Sequence, residues 1–363
     1  MSAPDRPGAP EGGPAAARPR GLDLDRLRRH LDERRPGLVS GALRAELIQG
    51  GRSNLTYRVT DGAGTWVVRR PPLGHVLATA HDMAREHRVV TALAGTAVPV
   101  PGTVLLCEDP EVIGAPFYVM DFVPGTPYRD RDGLAAIGPE RTRAVVLRLV
   151  DTLVDLHAVD PVSAGLADFG RPAGFLDRQL RRWGAQLDAS RSRELPGIDR
   201  LHTALGRTMP PSPAPAVLHG DYRLDNVLFD AGDRLTAVLD WEMSTLGDPL
   251  TDVGLLLMYG EQRDAPGVPG APGAATAPGH PGADEIVERY AARSGRDLSA
   301  VGWYTAFAYF KLAVIAEGIH YRWSQGQTVG EGFDRIGGLV PLLVDGGLRT
   351  LARTTRTAPH PEV

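Results

Sequence analysis

The residues best able to do chemistry fall in one run, His219-Gly220-Asp221-Tyr222-Arg223-Leu224-Asp225-Asn226, followed by the apolar Val227, Leu228 and Phe229. The run has the form H-x-D-x-x-x-x-N. A carboxylate that accepts a hydroxyl proton, with an amide that holds a divalent ion five residues on, is the equipment of phosphoryl transfer. One turn of loop aims Asp221 at an acceptor and Asn226 at the metal on the phosphate side. Asp240, in Leu239-Asp240-Trp241-Glu242, follows fourteen residues after Asn226. At the end of the next strand it can reach the same Mg²⁺, which takes few protein oxygens and keeps phosphate and water. His219 is expected to prop the loop, and Asp225 to be solvated or bonded locally.

A second group could hold phosphates. Gly50-Gly51-Arg52-Ser53-Asn54 lies between two strand-like stretches. Adjacent glycines let the backbone approach a triphosphate, and Ser53 offers a hydroxyl. No Gly-Lys-Ser/Thr follows, so this is not a Walker A loop. Lys311 is the single lysine among 40 Lys and Arg residues. A phosphate contact in the first 310 residues must therefore use arginine, a helix N-terminus or backbone N–H groups. Arg69, on the third strand, can serve if Glu86 of the following helix holds it. Arg70, next along the strand, should point to the opposite face.

Periodicity supplies the elements that must position these groups. A short helix is predicted over 23–34, strands over 43–48, 55–60 and 65–70, a helix over 78–94, and strands over 103–107 and 117–122. Val123-Pro124-Gly125 marks a change of composition. Beyond it a long amphipathic helix is expected over 139–158, a hairpin from 227 to 239, and helices over 249–260, 284–294, 302–322 and 331–352. Trp303, Tyr304, Phe307, Tyr309 and Phe310 read as core. Within Gly247-Asp248-Pro249-Leu250-Thr251-Asp252, Asp248 can cap the helix that starts there. The domain reading is a tail over 1–20, a phosphate-binding lobe over 21–122, a larger lobe over 123–355 carrying the Asp221 loop, and a tail over 356–363. Residues 265–283, rich in Ala, Pro and Gly, read as a flexible or solvent-exposed insertion.

Composition bounds the alternatives. The 363 residues are 42% hydrophobic, too many for a disordered chain and enough for a sizeable core. A net charge of −4 gives no bulk-charge argument for nucleic acid. One cysteine, Cys107, excludes an internal disulfide framework and a multi-cysteine zinc site. Without a long apolar run or a leader-like h-region, a cytoplasmic chain with no membrane partner is expected.

With these residues in view, the chain resembles the aminoglycoside phosphotransferase family across about residues 40–330. The runs G-G-R-S-N-L-T-Y, R-R-P-P-L-G-H-V-L-A-T-A-H-D-M and G-A-P-F-Y-V-M are similar to the phosphotransferase module found alone or fused to acyl-CoA dehydrogenases. The resemblance implies a two-lobed α+β protein-kinase-like fold, with a small antiparallel-sheet lobe and a larger, mostly helical one. It implies ATP between the lobes, the Asp121–Val123 backbone at adenine, and Mg²⁺ on Asn226 and Asp240. It also implies an acceptor hydroxyl at Asp221, and an aspartate of the 248–252 segment anchoring the loop backbone. The expected reaction is transfer of the ATP γ-phosphate to a small hydroxylated acceptor, a hydroxyacyl-CoA or hydroxy acid, with a functional link to an acyl-CoA dehydrogenase. Alternatives are an aminoglycoside, choline-like or homoserine-like kinase, or a non-catalytic nucleotide-binding regulator. The departure from the family pattern is arginine at 69 in place of lysine.

Overall fold

The computed structural model describes residues 19–48, 54–73, 81–261, 273–327 and 332–357. The chain divides into two units, one reaching His87 and including Gly102–Phe122, the other made of Arg88–Pro101 and everything from Val123.

The first unit begins with α1 (Leu24–Arg34), whose N-terminus is capped by Asp23 Oδ1 accepting from the N–H groups of Asp25 and Arg26. Strands β1 (Arg44–Leu47), β2 (Leu55–Thr60) and β3 (Thr65–Arg70) follow, then α2 (Met83–Leu93), β4 (Thr103–Cys107) and β5 (Phe117–Asp121). They form one antiparallel sheet in the order β1-β2-β3-β5-β4. Because side chains alternate along a strand, the sheet presents two faces. Val59, Trp66, Val68, Phe117 and Val119 pack with Leu27 and Leu31 of α1. Val67, Tyr118 and Met120 pack instead with Met83 of α2. Each buried Leu or Val contributes about 1.5–3 kcal/mol, so a one-residue slip of β3 would exchange both faces at once.

Helix α2 is shorter than the helix expected over 78–94; residues 78–80 of that range lie outside the described residues. Its second half belongs to the other unit, because Val89, Val90, Leu93 and the extended Val98 are buried in the larger core. A single cut at residue 122 would miss this.

The second unit continues with α3 (Arg131–Ile137), α4 (Pro139–His157), α5 (Phe175–Ser190) and α6 (Ile198–Arg207). Four short strands, β6 (Ala216–Leu218), β7 (Val227–Phe229), β8 (Leu235–Val238) and β9 (Thr245–Gly247), come next. Helices α7 (Leu250–Glu261), α8 (Ala283–Ser294), α9 (Val301–Ser324), α10 (Phe333–Ile336) and α11 (Leu339–Thr357) complete it. The α4 stripe Val145, Val146, Leu149, Leu153 and Leu156 is buried. Helix α9 is apolar almost all round its first half and runs through the core, with Trp303, Tyr304, Phe307, Tyr309 and Phe310 all buried.

Two expectations need correction. The helix expected over 331–352 is two helices, broken at Gly337 and Gly338; a Cβ on Gly337 would lie 2.5 Å from the His320 ring, so α9 packs against bare backbone. In the insertion expected over 265–283, residues 265–272 lie outside the described ones, but Ala274–Thr276 forms a 3₁₀ turn with Ala275 and Ala277 buried. Helices α3, α5 and α6 stand outside the elements expected from sequence, although the α5 series Phe175, Leu176, Leu180, Trp183 and Leu187 has helical spacing.

Candidate active site

Two short ladders decide where the chemistry-bearing residues go. Strand β6 pairs antiparallel with β9, Leu218 opposite Thr245, and β7 pairs with β8, Val227 opposite Val238. Residues 219–226 run from β6 to β7, and residues 239–244 from β8 to β9. Both segments are therefore pinned at both ends by the same two ladders and lie side by side. Cross-bonds close the frame: His219 Nε2 donates to Leu239 O at 2.9 Å, Leu239 N to Asn226 O at 2.8 Å, and Ser244 Oγ to Leu218 O at 2.7 Å. The frame bonds Asn226 to Asp221 and lays the backbone that leads into Asp240 against Asn226.

Within the loop the backbone is held at each step. With Nε2–H donating, His219 Nδ1 is the bare nitrogen and accepts from Asp221 N at 3.2 Å. His219 is fully buried and its ring packs on Trp241, centroids 4.7 Å apart. Both ring nitrogens are spent on backbone, so the ring props the loop. Asp252 on α7 takes the next two N–H groups, His219 N at 2.7 Å and Gly220 N at 2.9 Å. Asp248 does a different job: Oδ1 accepts from Leu250 N and Oδ2 from the Tyr304 hydroxyl. The two aspartates left undivided by sequence thus separate into a loop anchor and a helix cap. Gly220 has φ +87°, and a Cβ there would sit 2.6 Å from Met243 O, so only glycine fits between the two loops. On its other side, the Gly220 carbonyl accepts from Lys311 Nζ of α9 at 3.1 Å.

Behind Asp252 stands His157 of α4, buried, with Nε2 at 3.4 Å from Asp252 Oδ2 and Nδ1 at 2.7 Å from the Tyr290 hydroxyl. The carboxylate can only accept, so Nε2 carries the proton and Nδ1 accepts from Tyr290. Burial holds the imidazole below its ordinary value and therefore neutral, although Asp252 pulls the other way. The His157 bond and the loop N–H groups hold Asp252 ionised despite its burial.

Asn226 is buried and its Nδ2 donates to Asp221 O at 2.8 Å and to Asp221 Oδ2 at 3.2 Å. With the nitrogen committed, Oδ1 remains as a hard oxygen donor. Asp240 has φ +65°, a left-handed conformation uncommon outside glycine and tolerated best by Asp and Asn. Among the described residues no three His, Cys, Asp or Glu side chains converge on a metal-sized point. One amide and one carboxylate match an ion that keeps water and phosphate oxygens, as Mg²⁺ does.

Charge is balanced locally around Asp221. Arg223 Nε lies 3.4 Å from Asp221 Oδ2, its Nη2 lies 3.6 Å from Asp225 Oδ2, and its guanidinium stands 5.5 Å from the Tyr259 ring centre. Burial works against the Arg223 charge, but Asp221, Tyr259, Asp225 and Asp240 outweigh it. Asp225 is bonded locally, as expected, yet burial pushes its carboxyl up to about 6 despite Arg223.

In the first unit, Arg69 and Glu86 form a buried ion pair, Nε to Oε1 at 2.9 Å and to Oε2 at 3.0 Å. Arg70 points to the other face, where Nη1 donates to Gly21 O at 2.6 Å and Ile113 O at 2.9 Å. Strand alternation thus gives neighbouring arginines separate tasks. Gly50, Gly51 and Ser53 lie outside the described residues. Asp121 ends β5 with its N–H donated to Gly102 O, and Val123 begins the longer segment of the second unit.

Sequence reasoning assigned no role to Lys311, His157 or Arg223. Only Lys311 carried a signal, its rarity; the other two became visible when α4, α7 and the loop were packed together.

The family model described as the phosphotransferase enzyme family matches residues 44–300. Acyl-CoA dehydrogenase family member 11 of Rattus norvegicus is 34% identical over 346 residues, covering 93% of this chain and 44% of the relative. Acyl-CoA dehydrogenase family member 10 of Mus musculus is 35% identical over 289 residues, covering 78% and 27%. The chain therefore spans less than half the length of these curated relatives. A solved structure from Ralstonia eutropha, assigned to the aminoglycoside phosphotransferases, is 33% identical with a TM-score of 0.80, covering 91% of this chain and 98% of that one. An aminoglycoside phosphotransferase in ternary complex with ADP and hygromycin B shares the fold, at 15% identity and TM-score 0.57 over 89% of this chain and 98% of that one. The bracketed loops, the sheet lobe and these matches agree that the chain belongs to the phosphotransferase enzyme family, with a two-lobed α+β fold of the kinase-like kind.

Proposed function

We propose that the chain transfers the γ-phosphate of ATP to the hydroxyl of a small anionic acceptor, a hydroxy acid or hydroxyacyl thioester. The observation that carries the reading is the pair of ladders that sets Asp221 and Asn226 against the Asp240 segment. In the proposed step Asp221 orients the hydroxyl and accepts its proton. The hydroxyl oxygen bonds to the γ-phosphorus as the β,γ-bridging bond breaks and ADP leaves. Such base assistance is typically worth about 10²–10⁴-fold. Asn226 and Asp240 would hold Mg²⁺, which neutralises phosphate charge when bound. Arg69, fixed by Glu86, would pair with phosphates, as would the 50–53 segment with Gly50, Gly51 and Ser53. The Asp121–Val123 backbone would meet adenine.

Two features favour an anionic acceptor with an aliphatic part. Two cations stand beside Asp221: Arg223 Nε lies 3.4 Å from its carboxylate, and Lys311 interacts with it electrostatically. An anionic acceptor would meet opposite charge at Arg223 and Lys311. Beside Arg223 and Asp225 lies a cavity walled by Val146, Leu149, Leu256 and Ile286, which suits a hydrocarbon chain. Phosphorylation makes the hydroxyl a good leaving group, which fits the link to acyl-CoA dehydrogenases in the relatives' names.

The test is ADP release by purified protein with Mg²⁺, ATP and a panel of 4-hydroxyacyl-CoA, 4-hydroxy acids, choline, homoserine and aminoglycosides. Turnover of the hydroxyacyl compounds, lost in Asp221→Asn with ATP binding retained, is expected. Turnover of aminoglycosides alone would overturn the acceptor class. ATP binding with no transfer to any member of the panel would favour the regulator.

A further inference from the structure

We propose that Lys311 is a positioning residue for Asp221, its ammonium gripping the Gly220 carbonyl and so fixing the peptide that carries the carboxylate. The inference rests on Asp221 being the group that meets the acceptor. The geometry is a two-sided clamp. Gly220 N donates to Asp252 Oδ1 of α7 at 2.9 Å, and Gly220 O accepts from Lys311 Nζ of α9 at 3.1 Å. Between them the residue is held at φ +87°, against Met243 O. Rotation of that peptide would swing the Asp221 Cα and break the Asp221 N–H bond to His219.

The residue type is informative. This chain uses arginine at 39 of its 40 Lys and Arg positions. Its one lysine stands half-buried, 5.7 Å from the Trp183 ring centre of α5. A planar guanidinium presents a broad fork suited to paired oxygens, whereas an ammonium is a compact point charge that can serve one carbonyl oxygen under an aromatic ring. The groups facing Nζ are Asp221 in the loop and Asp252 on α7, which favour the charge, and Arg182 on α5, which opposes it. The clamp therefore ties α7, α9 and the loop to one residue, Gly220, and adds positive charge beside Asp221.

The single lysine makes the test direct. Protein labelled with ¹³C at lysine Cε gives one side-chain resonance, which reports on this ammonium alone. Asp221→Asn removes a favourable negative charge, so the resonance is expected to shift and its titration midpoint to fall. Lys311→Met is expected to lower kcat about 10–100-fold, the equivalent of one lost charge-assisted bond, with KM for ATP unchanged. Lys311→Arg, which keeps the charge and protects the fold, is expected to recover only part of that loss. A resonance that ignores Asp221→Asn, or Lys311→Met with wild-type kcat, would overturn the proposal. So would full recovery in Lys311→Arg, or a loss confined to KM. If the wild type phosphorylates nothing, the functional reading fails, and the resonance still decides whether Lys311 and Asp221 are coupled.

Discussion

Asp252→Asn tests the construction of the loop most sharply, because the change is nearly isosteric. The carboxylate accepts from His219 N at 2.7 Å and Gly220 N at 2.9 Å, with His157 Nε2 at 3.4 Å. All are donors, and the site is buried. An amide brings two N–H groups of its own, so in either orientation it sets a donor against a donor. One orphaned buried donor costs about 1–3 kcal/mol. The remaining bonds lose their charge assistance, which is roughly half their strength, or about 1 kcal/mol. The total is about 2–4 kcal/mol, and at about 2–4 °C per kcal/mol the melting temperature should fall by about 5–15 °C. Scanning calorimetry reads the stability, and initial rates of ADP release read the loop. Activity should fall further than stability explains at temperatures where the variant is folded, because the two residues released, His219 and Gly220, lead directly into Asp221. A variant that melts within about 2 °C of wild type with undiminished kcat would refute the anchor argument.

Other consequences follow from the same geometry. Gly220→Ala combines a left-handed residue, about 1–2 kcal/mol, with a contact of 2.6 Å to Met243 O, whereas a Cβ on Gly282 meets nothing within 4 Å. Thermal melts should show a large loss for the first and almost none for Gly282→Ala; equal melts would contradict the close approach of the two loops. Glu86→Gln leaves the buried Arg69 cation without its carboxylate, a loss of about 3–5 kcal/mol, and calorimetric titration with a non-hydrolysable ATP analogue should show weaker binding. Unchanged stability and affinity would remove the pair from phosphate binding. The pH dependence has a definite sign. His157 is held below its unfolded value of 6.5, so in acid the unfolded chain takes up the proton first. Stability should fall as pH drops below about 6.5, and His157→Gln should flatten that slope; an unaltered slope would assign the acid loss to other groups.

Much of the site was legible because its signals are local. H-x-D-x-x-x-x-N with a later aspartate is a pattern of residue types and spacings, and the alternation of β3 sufficed to separate Arg69 from Arg70. The strands of the first unit and helices α1, α4, α7, α8 and α9 followed from periodicity, since each buries one face or all faces. The break at Gly337 was hidden because it depends on a ring from another helix. Strands β6 and β9, three residues each, are too short to carry a period, yet their pairing pins the far ends of the two loops that the β7–β8 ladder brings side by side.

The same division holds for function. The order of side chains along the polypeptide determined which groups exist and how many bonds separate them, and that was enough to name phosphoryl transfer. Only the packed chain decided which aspartate grips the loop, which nitrogen of His157 holds a proton, and where the lone lysine goes. Those are questions of hydrogen-bond partners between residues 32 to 133 positions apart, and such partners are chosen by how helices pack, which no short window of sequence contains.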